Sequence, residues 1–388
     1  MTRPLVTIVT PSFNQGRFIR ATIESVLSQD YPSIEYIIMD GRSTDETADV
    51  VGDYKGRLKF ISEHDRGQSH AINKGFWMAR GEIVSWINSD DIILPGAVSC
   101  AVRALTQNTR LGAVYGEGYT IDTDGNVVGR FGATEPFNLW KLIYLSDYIL
   151  QQTVYFRRSI FDDVGFLDEH LNWGMDWELL IRIGKKYSME CLPEYMGSIR
   201  EYGEAKTFSG GFRRIRELVK IMRRHGHLHY PPGMFTYGLD TLQRRLSSLI
   251  PIPTVQRRIR DVFGKVISGI IRDAQGLYHD GWAGQRLRYM LPAGRGPVRI
   301  CGNLPGGIPE LNGQIITVEC GDAVVAREAL SPGAFEIEFE DKASDDAKPL
   351  SFEVKASRTF VPSRSGMGPD HRQLAFMLNK IERVQLGW

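Results

Sequence analysis

The amino-acid sequence predicts an α/β protein with a doubly wound, mixed but mostly parallel sheet, followed by basic linker helices and a C-terminal β-sandwich. Three observations predict this class. Short β-rich runs alternate with helical apolar spacing near the N-terminus, basic amphipathic segments follow, and strand runs without helices fill the C-terminal part. We expect a first α/β domain at residues 1–226, a helical linker region at 227–276 and a β-sandwich domain at 277–388.

The first domain begins with a βαβ unit. The runs LVTIVTPSF (5–13) and IEYIIMDG (34–41) are β-rich, and GRFIRATIESVLSQD between them has the apolar spacing of a helix. A third strand, LKFISE, precedes the helix-like GQSHAINKGFWMARG, and EIVSWINSDD predicts a fourth strand. This alternation predicts a sheet whose ligands bind beyond the carboxyl ends of its strands.

Polar side chains stand at the carboxyl end of each of these four strands. Because those ends meet at one edge of a parallel sheet, we expect the side chains to form one site. The set comprises Ser12 and Asn14; Asp40, Ser43 and Asp45; Glu63, Asp65 and Gln68; and Asn88, Asp90 and Asp91.

Asp90 and Asp91 are adjacent carboxylates directly after an apolar run. Adjacent carboxylates repel each other, so in this setting they favour a positive partner such as a metal ion over well-solvated turn residues. Asp40 keeps two interpretations, because DGRSTDET also contains a plausible helix N-cap at Ser43 or Thr44. The two roles of this stretch are compatible.

The composition is that of a globular protein, with 42% hydrophobic and 24% charged residues. A net charge of +1 argues against a nucleic-acid binder that works by bulk electrostatics. Four dispersed cysteines without CxxC spacing indicate neither a zinc knuckle nor a disulfide scaffold. The N-terminus enters a strand at once and no run of about 18 apolar residues follows, so we expect a cytoplasmic protein.

Three stretches in this order resemble the family 2 glycosyltransferases of the GT-A fold: TPSFNQGRFIRATIESVLSQDYPSIEYIIMDGRSTDET, SEHDRGQSHAINKG and WINSDDIILPGA. The downstream QQTVYFRRSIFDDVGFLDEHLNWGMDWELLIRI is similar to the acceptor-side segment of that family, so the resemblance covers roughly residues 4–225. It implies transfer of a sugar from a nucleotide diphosphate to an acceptor hydroxyl, with inversion at the anomeric carbon. It also implies a divalent cation, Mn²⁺ or Mg²⁺.

The resemblance also implies roles for the polar strand ends. Asp91 would ligate the cation that bridges the donor diphosphate, Asp90 would lie near the donor ribose and Asp40 would contact the base. A hard cation with carboxylate and phosphate oxygens fits this chemistry. The donor pocket would be completed by Pro11, Ser12, Asp65, Gln68 and Asn73.

On the acceptor side, the resemblance implies that Asp176 is the general base. An inverting displacement needs a carboxylate that deprotonates the attacking hydroxyl, although Asp176 could also merely cap a helix. Glu178 is the rival base, but its offset turns it to a different helix face. Trp173 and Trp177 could stack on an acceptor sugar or belong to the core.

Two positions depart from the family pattern. His70 stands where related enzymes often carry an aspartate, and Tyr202 stands where they carry a histidine. Weaker metal dependence follows if that histidine is a metal ligand, and Lys206 and Arg200 could then take part of the diphosphate charge. The chain lacks the QxxRW signature of processive synthases, which favours single addition.

Basic amphipathic segments lie at 210–226 and at about 240–273. Such helices either lie on an anionic membrane, where a lipid-linked acceptor would be found, or pack as linker helices with a solvated basic face. The C-terminal region resembles the β-sandwich appended to some bacterial glycosyltransferases. Glycan binding, dimerisation and structural support remain open for that domain.

These observations predict an inverting glycosyltransferase of bacterial cell-surface polysaccharide synthesis that uses a uridine or deoxythymidine diphosphate sugar. Its acceptor would be a glycan or lipid-linked glycan, with no nucleic-acid partner and with possible peripheral contact at the inner membrane face. The alternative is a catalytically silent glycan-binding or scaffold protein on the same fold. Donor sugar, acceptor and linkage depend on pocket shape and on an expected loop around 115–150, and the sequence does not fix them or the oligomeric state.

Overall fold

The computed structural model describes most of the chain and divides it into two compact units. The first comprises Met1–Phe137 and Asp147–Ile221, and the second comprises Asn138–Ser146 and Met222–Trp388. The described residues are 3–132, 134–203, 206, 210–249, 255, 258–259, 262–264, 266–267, 270, 276–277, 282–340, 348–365, 367 and 372–384. The division into three domains at 226 and 276 stays a prediction.

The helices of the described residues are mostly short and amphipathic. In α1, the buried side chains Phe18, Ile19, Ile23 and Val26 recur at helical spacing. The helices are α1 (Gly16–Leu27), α2 (Thr47–Gly52), α3 (Gln68–Met78), α4 (Ala97–Gln107), α5 (Leu139–Tyr144), α6 (Phe161–Val164), α7 (Met175–Lys186), α8 (Gly211–His225) and α9 (Pro232–Leu249).

A mixed sheet forms the centre of the first unit. Its strands are β1 (Val6–Ser12), β2 (Ile34–Asp40), β3 (Lys59–Ser62), β4 (Ile83–Trp86), β5 (Ile92–Ile93), β6 (Leu111–Ile121), β7 (Val127–Arg130), β8 (Tyr155–Arg157) and β9 (Ser188–Arg200). The order is β3-β2-β1-β4-β8-β6-β9-β5, with β7 paired to β6. The four strands β3, β2, β1 and β4 are parallel, β8 is antiparallel between β4 and β6, and β9 is parallel to β6. The predicted α/β class is confirmed.

Close packing of α3 on β1 depends on a glycine. A Cβ atom on Gly75 would lie 2.4 Å from Cγ1 of Val9, and Val9 is fully buried in the central strand. The helix that follows the third strand therefore needs the smallest side chain at this position. This approach places the N-terminus of α3, with Gln68, at the carboxyl edge of the parallel strands.

The stretch around 115–150, expected as a loop, is largely regular in the structure. It contains most of β6, all of β7 and α5. The β6 strand pairs with β7, β8 and β9. The hydrogen bonds to these strands keep its Gly-rich sequence extended, although glycine has a low intrinsic preference for strands. Gly118 shows the reason for the glycine, because a Cβ there would lie 2.3 Å from the carbonyl oxygen of Gly197 on β9.

The second unit contains the predicted β-sandwich, which is confirmed. Its strands are β10 (Trp282–Ala283), β11 (Arg286–Leu291), β12 (Val298–Leu304), β13 (Ile315–Cys320), β14 (Ala323–Ala329), β15 (Gly333–Phe339), β16 (Leu350–Ala356) and β17 (Phe376–Arg383). Two four-stranded antiparallel sheets, β10-β17-β12-β15 and β11-β16-β13-β14, share one core that includes Leu287, Ile300, Val354 and Phe376. The sequence analysis missed β10 and β14; most of β14 is exposed and has no buried alternation.

Helix α5 belongs to the second unit although it lies at 139–144 in the chain. Asn138 caps it, its side-chain oxygen accepting from the amide nitrogens of Trp140 and Lys141. The guanidinium of Arg288 in β11 lies 5.8 Å from the ring centroid of Trp140. Among the described residues, no helix has both the length and the apolar character that crossing a membrane requires.

Candidate active site

The carboxyl ends of β1, β2 and β3 bring Ser12, Asp40 and Ser62 together. Asp40 is 2% exposed, and its carboxylate accepts from Ser43 (amide nitrogen 3.0 Å, hydroxyl 2.5 Å) and from the Ser62 hydroxyl (2.5 Å). Asp40 therefore fixes the loops that follow β2 and β3. The buried hydroxyl of Ser12 has no hydrogen-bond partner within the described part of the chain, so this strand end offers an unused polar atom.

The loop after β1 is tied to the loop after β2. Asn14 has a φ of 52°, its amide nitrogen donates to the Ser43 hydroxyl (2.8 Å), and its side-chain oxygen accepts from the Thr44 amide (2.8 Å). Asp45 accepts from the amide of Gly16 at the start of α1 (2.9 Å). Burial opposes the charge of Asp45, but hydrogen bonds from Thr47 and Gly16 outweigh it, so the pKa of Asp45 is lowered.

Asp65 and Pro11 also lie at this edge of the sheet. Pro11 is buried within β1. A Cβ atom on Gly41 would lie 2.7 Å from Oδ2 of Asp65, so the carboxylate reaches the backbone that follows Asp40. The structure thus brings Pro11, Ser12, Asp40 and Asp65 to one sheet edge.

Asp91 is a buried carboxylate, 2% exposed, with three donors around it. Its Oδ1 accepts from the Arg200 amide nitrogen (2.9 Å), and its Oδ2 accepts from Nδ2 of Asn88 (3.0 Å) and Nε2 of Gln152 (2.6 Å). Burial and the neighbouring negative charge of Asp90 nevertheless raise the pKa of Asp91 to about 8. The charge of this carboxylate is not compensated by the donors that hold it.

Asp90 is held by Tyr202, the residue that departs from the family pattern. The Tyr202 hydroxyl donates to Oδ2 of Asp90 (2.7 Å), and its ring lies 5.1 Å from that of Phe18. Burial raises the pKa of the Asp90 carboxyl. The guanidinium of Arg200 also stacks over Phe18 at 4.9 Å.

The guanidinium of Arg200 forms hydrogen bonds to main-chain carbonyl oxygens. It donates to the carbonyl oxygens of Asp90 (2.8 Å), Asp122 (2.6 Å) and Thr123 (3.1 Å). It therefore fixes the aspartate pair by its backbone bonds and leaves the carboxylates themselves without a bidentate partner.

The aspartate pair fits a hard divalent cation. No group of three or more His, Cys, Asp or Glu side chains suited to a metal occurs among the described residues. Mg²⁺ and Mn²⁺ can bind through one or two carboxylates when phosphates and water supply the other ligands. Burial and the charge of Asp90 raise the pKa of Asp91, and a cation beside it would favour the charged carboxylate.

A chain of polar side chains leads from the aspartate pair to the acceptor-side segment. Oδ1 of Asn88 accepts from Nε2 of Gln68 (2.7 Å), and Oε1 of Gln68 accepts from Nζ of Lys206 (3.0 Å). The ammonium of Lys206 is in turn close enough to Asp176 to favour the charged carboxylate. The structure therefore brings Asp91, Gln68 and Asp176 into one region through Asn88 and Lys206.

Asp176 is paired with a second carboxyl, Asp147, which the sequence analysis missed. Burial raises the pKa of both groups, and the charge of Asp176 raises that of Asp147 further, well above its usual range. The Trp177 amide (2.8 Å), Lys206 and Arg214 favour the ionised form of Asp176. Of the two carboxyls, Asp176 is therefore the one whose neighbours favour the charged form.

The turn that carries Asp176 is held by Glu217 of α8. The Glu217 carboxylate accepts from the amide nitrogens of Asn172 (3.0 Å), Trp173 (2.6 Å) and Gly174 (3.0 Å) at the N-terminus of α7. Asn172 and Trp173 precede α7 and only Gly174, its N-cap residue, belongs to the helix end, so Glu217 mainly fixes the turn that leads into α7. Glu217 gave no sequence signal, because it lies more than 40 residues from its partners.

The two tryptophans of this segment have different environments. Trp177 is 1% exposed and packs in the core, which fits the core interpretation. Trp173 is half-buried beside Gly210, where a Cβ atom would lie 2.5 Å from the indole ring. Of the two, Trp173 has the surface to meet a ligand.

Glu178 and Asn73 are engaged in structural contacts. Glu178 is 2% exposed and forms an ion pair with Nε of Arg182 (2.8 Å). A carboxylate that is buried and paired in this way does not fit a base that must contact an acceptor hydroxyl. The amide of Asn73 donates to the Leu167 carbonyl (3.0 Å) and Glu169 (3.1 Å) and accepts from the Leu167 amide (3.1 Å). Asn73 therefore shapes the site by holding the segment before α7.

Together, the parallel strands and the polar residues at their carboxyl ends define a mixed α/β protein with an acidic site at the sheet edge. Residues 7–165 match the sequence model described as Glycosyl transferase family 2, so this segment of the chain is similar to that family. The matched segment contains β1 to β8 and the aspartate pair.

Two curated relatives illustrate the likeness. The chain is 31% identical over 130 residues to chondroitin synthase of Escherichia coli, covering 33% of this chain and 19% of that protein. It is 27% identical over 213 residues to poly-beta-1,6-N-acetyl-D-glucosamine synthase of Staphylococcus epidermidis, covering 50% and 52%. The chain thus spans about half or less of the length of these two relatives.

A structural likeness extends over more of the chain. The crystal structure of S. aureus TarS 1-349 in complex with UDP-GlcNAc is 17% identical and has a TM-score of 0.47. The similarity covers 69% of this chain and 83% of that one.

Proposed function

We propose that this protein is an inverting glycosyltransferase that moves a sugar from a nucleotide diphosphate to a hydroxyl of a glycan acceptor. The match of residues 7–165 to the family model supports the reaction class, and the names of two relatives describe polysaccharide synthases. The observation that carries the proposal is the polar chain from Asp91 through Asn88, Gln68 and Lys206 to Asp176. It connects a carboxylate suited to a cation with a carboxylate suited to proton transfer.

In the donor half, Asp91 would hold a divalent cation and Asp90 the donor ribose, and Asp40, Asp65 and Ser12 would line the nucleotide side. When bound there, Mn²⁺ or Mg²⁺ would supply positive charge for the leaving nucleoside diphosphate. Tyr202 keeps Asp90 oriented by its hydrogen bond. Lys206 adds a positive charge within reach of Gln68, at the edge where the diphosphate would lie.

In the acceptor half, Asp176 takes the proton of the attacking hydroxyl. The oxygen of that hydroxyl forms a bond to the anomeric carbon, and the bond between that carbon and the diphosphate breaks. A general base of this kind needs a carboxylate that is ionised but basic. The raised pKa of Asp176, caused by burial, makes it a stronger base than an exposed aspartate. Asp147 keeps its proton and so does not compete for the proton of the acceptor. Trp173 offers a ring face beside the reacting hydroxyl.

The proposal includes a biological setting. The protein would use a uridine or deoxythymidine diphosphate sugar and build a bacterial cell-surface polysaccharide on a glycan or lipid-linked glycan. A cytoplasmic location matches a nucleotide-sugar donor. The absence of a QxxRW signature favours single addition.

A donor screen by thermal shift tests this function. A ligand at a hundred times its dissociation constant stabilises a protein by about 2.7 kcal/mol, which is a measurable rise in Tm. We expect a rise with uridine or deoxythymidine diphosphate in the presence of Mn²⁺, reduced by EDTA. Stabilisation by guanosine diphosphate alone would overturn the donor assignment. Absence of any nucleotide effect, together with binding to a glycan array, would favour the silent glycan-binding alternative.

A further inference from the structure

The positive charge of the chain is concentrated in one segment. Residues 212–272 contain thirteen Arg and Lys and three Asp and Glu, a net charge of +10. The whole chain has a net charge of +1, so the remaining residues together carry −9. A segment so different from the rest of its chain indicates an anionic partner.

Helix α8 within this segment separates its apolar and basic side chains. Leu218, Ile221 and Met222 are buried, at 4%, 1% and 0% exposure. The opposite face continues to Arg223 and Arg224 at the end of the helix, and both are exposed. Because the apolar stripe of α8 is already packed, its cations form a surface and not a buried interface.

The loop after α8 places aromatic and apolar side chains beside these cations. Leu228 is 43% exposed and Tyr230 is 70% exposed. Arg223 ties the loop to the helix, since its Nε donates to the His229 carbonyl (2.8 Å) and its guanidinium lies 6.0 Å from the Tyr230 ring centroid. The loop therefore presents Tyr230 in a fixed position next to Arg223 and Arg224.

Helix α9 carries two further exposed apolar side chains. Phe235 is 54% exposed and Leu242 is 48% exposed, and their spacing of seven residues puts them on one face of the helix. On its other side, Thr236 and Thr241 are buried. Two large apolar side chains of α9 thus face out, while Met234, Tyr237 and Leu239 are partly buried. Large apolar groups at the surface mark interaction sites when they occur together.

We propose that the surface formed by Arg223, Arg224, Leu228, Tyr230, Phe235 and Leu242 binds the interface of an anionic lipid bilayer. Cations next to exposed aromatic and aliphatic side chains are the combination that interfacial helices use, with the apolar groups in the headgroup region and the cations on lipid phosphates. The binding concerns the second unit and does not depend on the proposed sugar transfer.

Two other occupants fit this surface less well. A second copy of the chain would bring the same +10 segment against itself, and like charges repel across such a contact. A nucleic acid would use the cations but gains nothing from Leu228, Phe235 and Leu242. An anionic bilayer uses both halves of the surface, so the observations favour it.

Vesicle flotation with the full-length protein tests the proposal. The probes are vesicles of phosphatidylcholine alone and of phosphatidylcholine with about one third phosphatidylglycerol. We expect flotation only with the anionic vesicles at low salt. Each Arg near an anionic surface contributes about 1 kcal/mol, so Arg223→Gln/Arg224→Gln should lower the partition coefficient about 30-fold. Tyr230→Ser/Phe235→Ser should lower it about tenfold or more by removing the inserted groups.

Matched controls change the same chemistry elsewhere in the chain. Lys55→Gln/Arg57→Gln removes two exposed cations of the first unit, and Val127→Ser/Val128→Ser removes two exposed valines of β7, 59% and 62% exposed. We expect both controls to float like the wild type. The proposal is overturned if the wild type does not float, or if the controls lose as much binding as the test variants. The variant Tyr230→Ser/Phe235→Ser is also measured by light scattering. If it floats normally but is a monomer where the wild type is a dimer, the surface serves self-association and the proposal is overturned.

Discussion

At the scale of single residues, the site depends on carboxyl groups with different protonation. Asp147 and Asp176 are both partly buried, yet Trp177, Lys206 and Arg214 favour charge only on Asp176. Two neighbouring carboxyls that differ in protonation are a common way to separate a base from a neutral partner. Glu178, only two residues from Asp176, is instead fixed by Arg182. Two neighbouring acidic residues of α7 therefore have distinct roles.

Asp176→Asn should lower the rate of sugar transfer by about 10² to 10⁴ fold, because it removes the basicity of the carboxylate while keeping its shape. Donor binding, measured by thermal shift, should stay unchanged. The comparison is Glu178→Gln, which should lower Tm by weakening the buried pair with Arg182 and leave the rate per folded molecule near normal. An inactive Glu178→Gln with an active Asp176→Asn would move the base to Glu178.

Asp147→Asn should raise Tm at pH 7 and change it little at pH 4. The pKa of Asp147 in the folded state lies well above that of an unfolded aspartate, because of burial and the charge of Asp176. Below the unfolded value both states are protonated and stability is unaffected. As the pH rises between the two values, the unfolded state releases the proton first and folding becomes less favourable. Asparagine cannot ionise and can still accept from the Ile149 amide. An equal or lower Tm of the variant at pH 7 would contradict this protonation.

The parts of the site that the sequence predicts are those set by local periodicity. Asp40 and Asp91 follow β-rich runs, so their position at a sheet edge could be read directly. Gln152, 61 residues from Asp91, and Glu217, 44 residues from Trp173, could not. Such pairs depend on how distant segments pack, and a single sequence has no signal for packing at this separation.

At the scale of elements, helix ends position the chemistry. The N-terminus of α3 supplies Gln68, and the N-terminus of α7 supplies Asp176. The turn that leads into α7 is held by Glu217 of α8, which accepts from the amide nitrogens of Trp173 and Gly174. The same contact makes α8 both a support of the site and, by its other face, a basic surface. The sequence predicted α8 as a basic amphipathic helix but not this support.

Glu217→Ala should loosen the turn before Asp176. A hydrogen bond to a charged group contributes about 1.5–3 kcal/mol, and the turn that loses these bonds carries Trp173 and leads into Asp176. We expect a higher KM for the acceptor and a lower kcat, with donor binding unchanged. Glu217→Gln should recover part of the activity, because its side-chain oxygen can still accept from the amide groups. Lys220→Ala, on the exposed face of the same helix, is the control and should behave as wild type. Equal kinetics of Glu217→Ala and wild type would show that the contact of Glu217 with this turn does not position the base.

At the scale of the whole molecule, the chain crosses between its units more than once. The short segment Asn138–Ser146 belongs with the sandwich although it is flanked by the first unit. Its apolar side chains explain this, since Leu139 and Leu142 are fully buried and Trp140 is 7% exposed. Neither the length of the segment nor its apolar pattern shows which unit it joins. The sequence analysis therefore left it within the predicted first domain at residues 1–226.

A chain that ends at residue 275 should fold but expose α5. The first unit has its own core around β1 and β2, so cooperative unfolding should persist. Loss of β11 removes the partner of Trp140, and we expect stronger binding of a hydrophobic dye than in the full chain. Trp140→Ser in the shortened chain should reduce that dye binding. A shortened chain that has no cooperative transition would show that the first unit does not fold without the sandwich.

The most direct test of the central claim is release of nucleoside diphosphate from a panel of uridine, deoxythymidine and guanosine diphosphate sugars with Mn²⁺. The wild type should release the nucleotide slowly from a uridine or deoxythymidine donor. Asp91→Asn and EDTA should each remove most of that turnover, because a charged oxygen ligand or the cation itself is lost. Asp124→Asn, in the exposed turn before β7, should match the wild type. Equal turnover in EDTA and Mn²⁺ would contradict the metal role, and no turnover of any donor would contradict the assignment as a transferase.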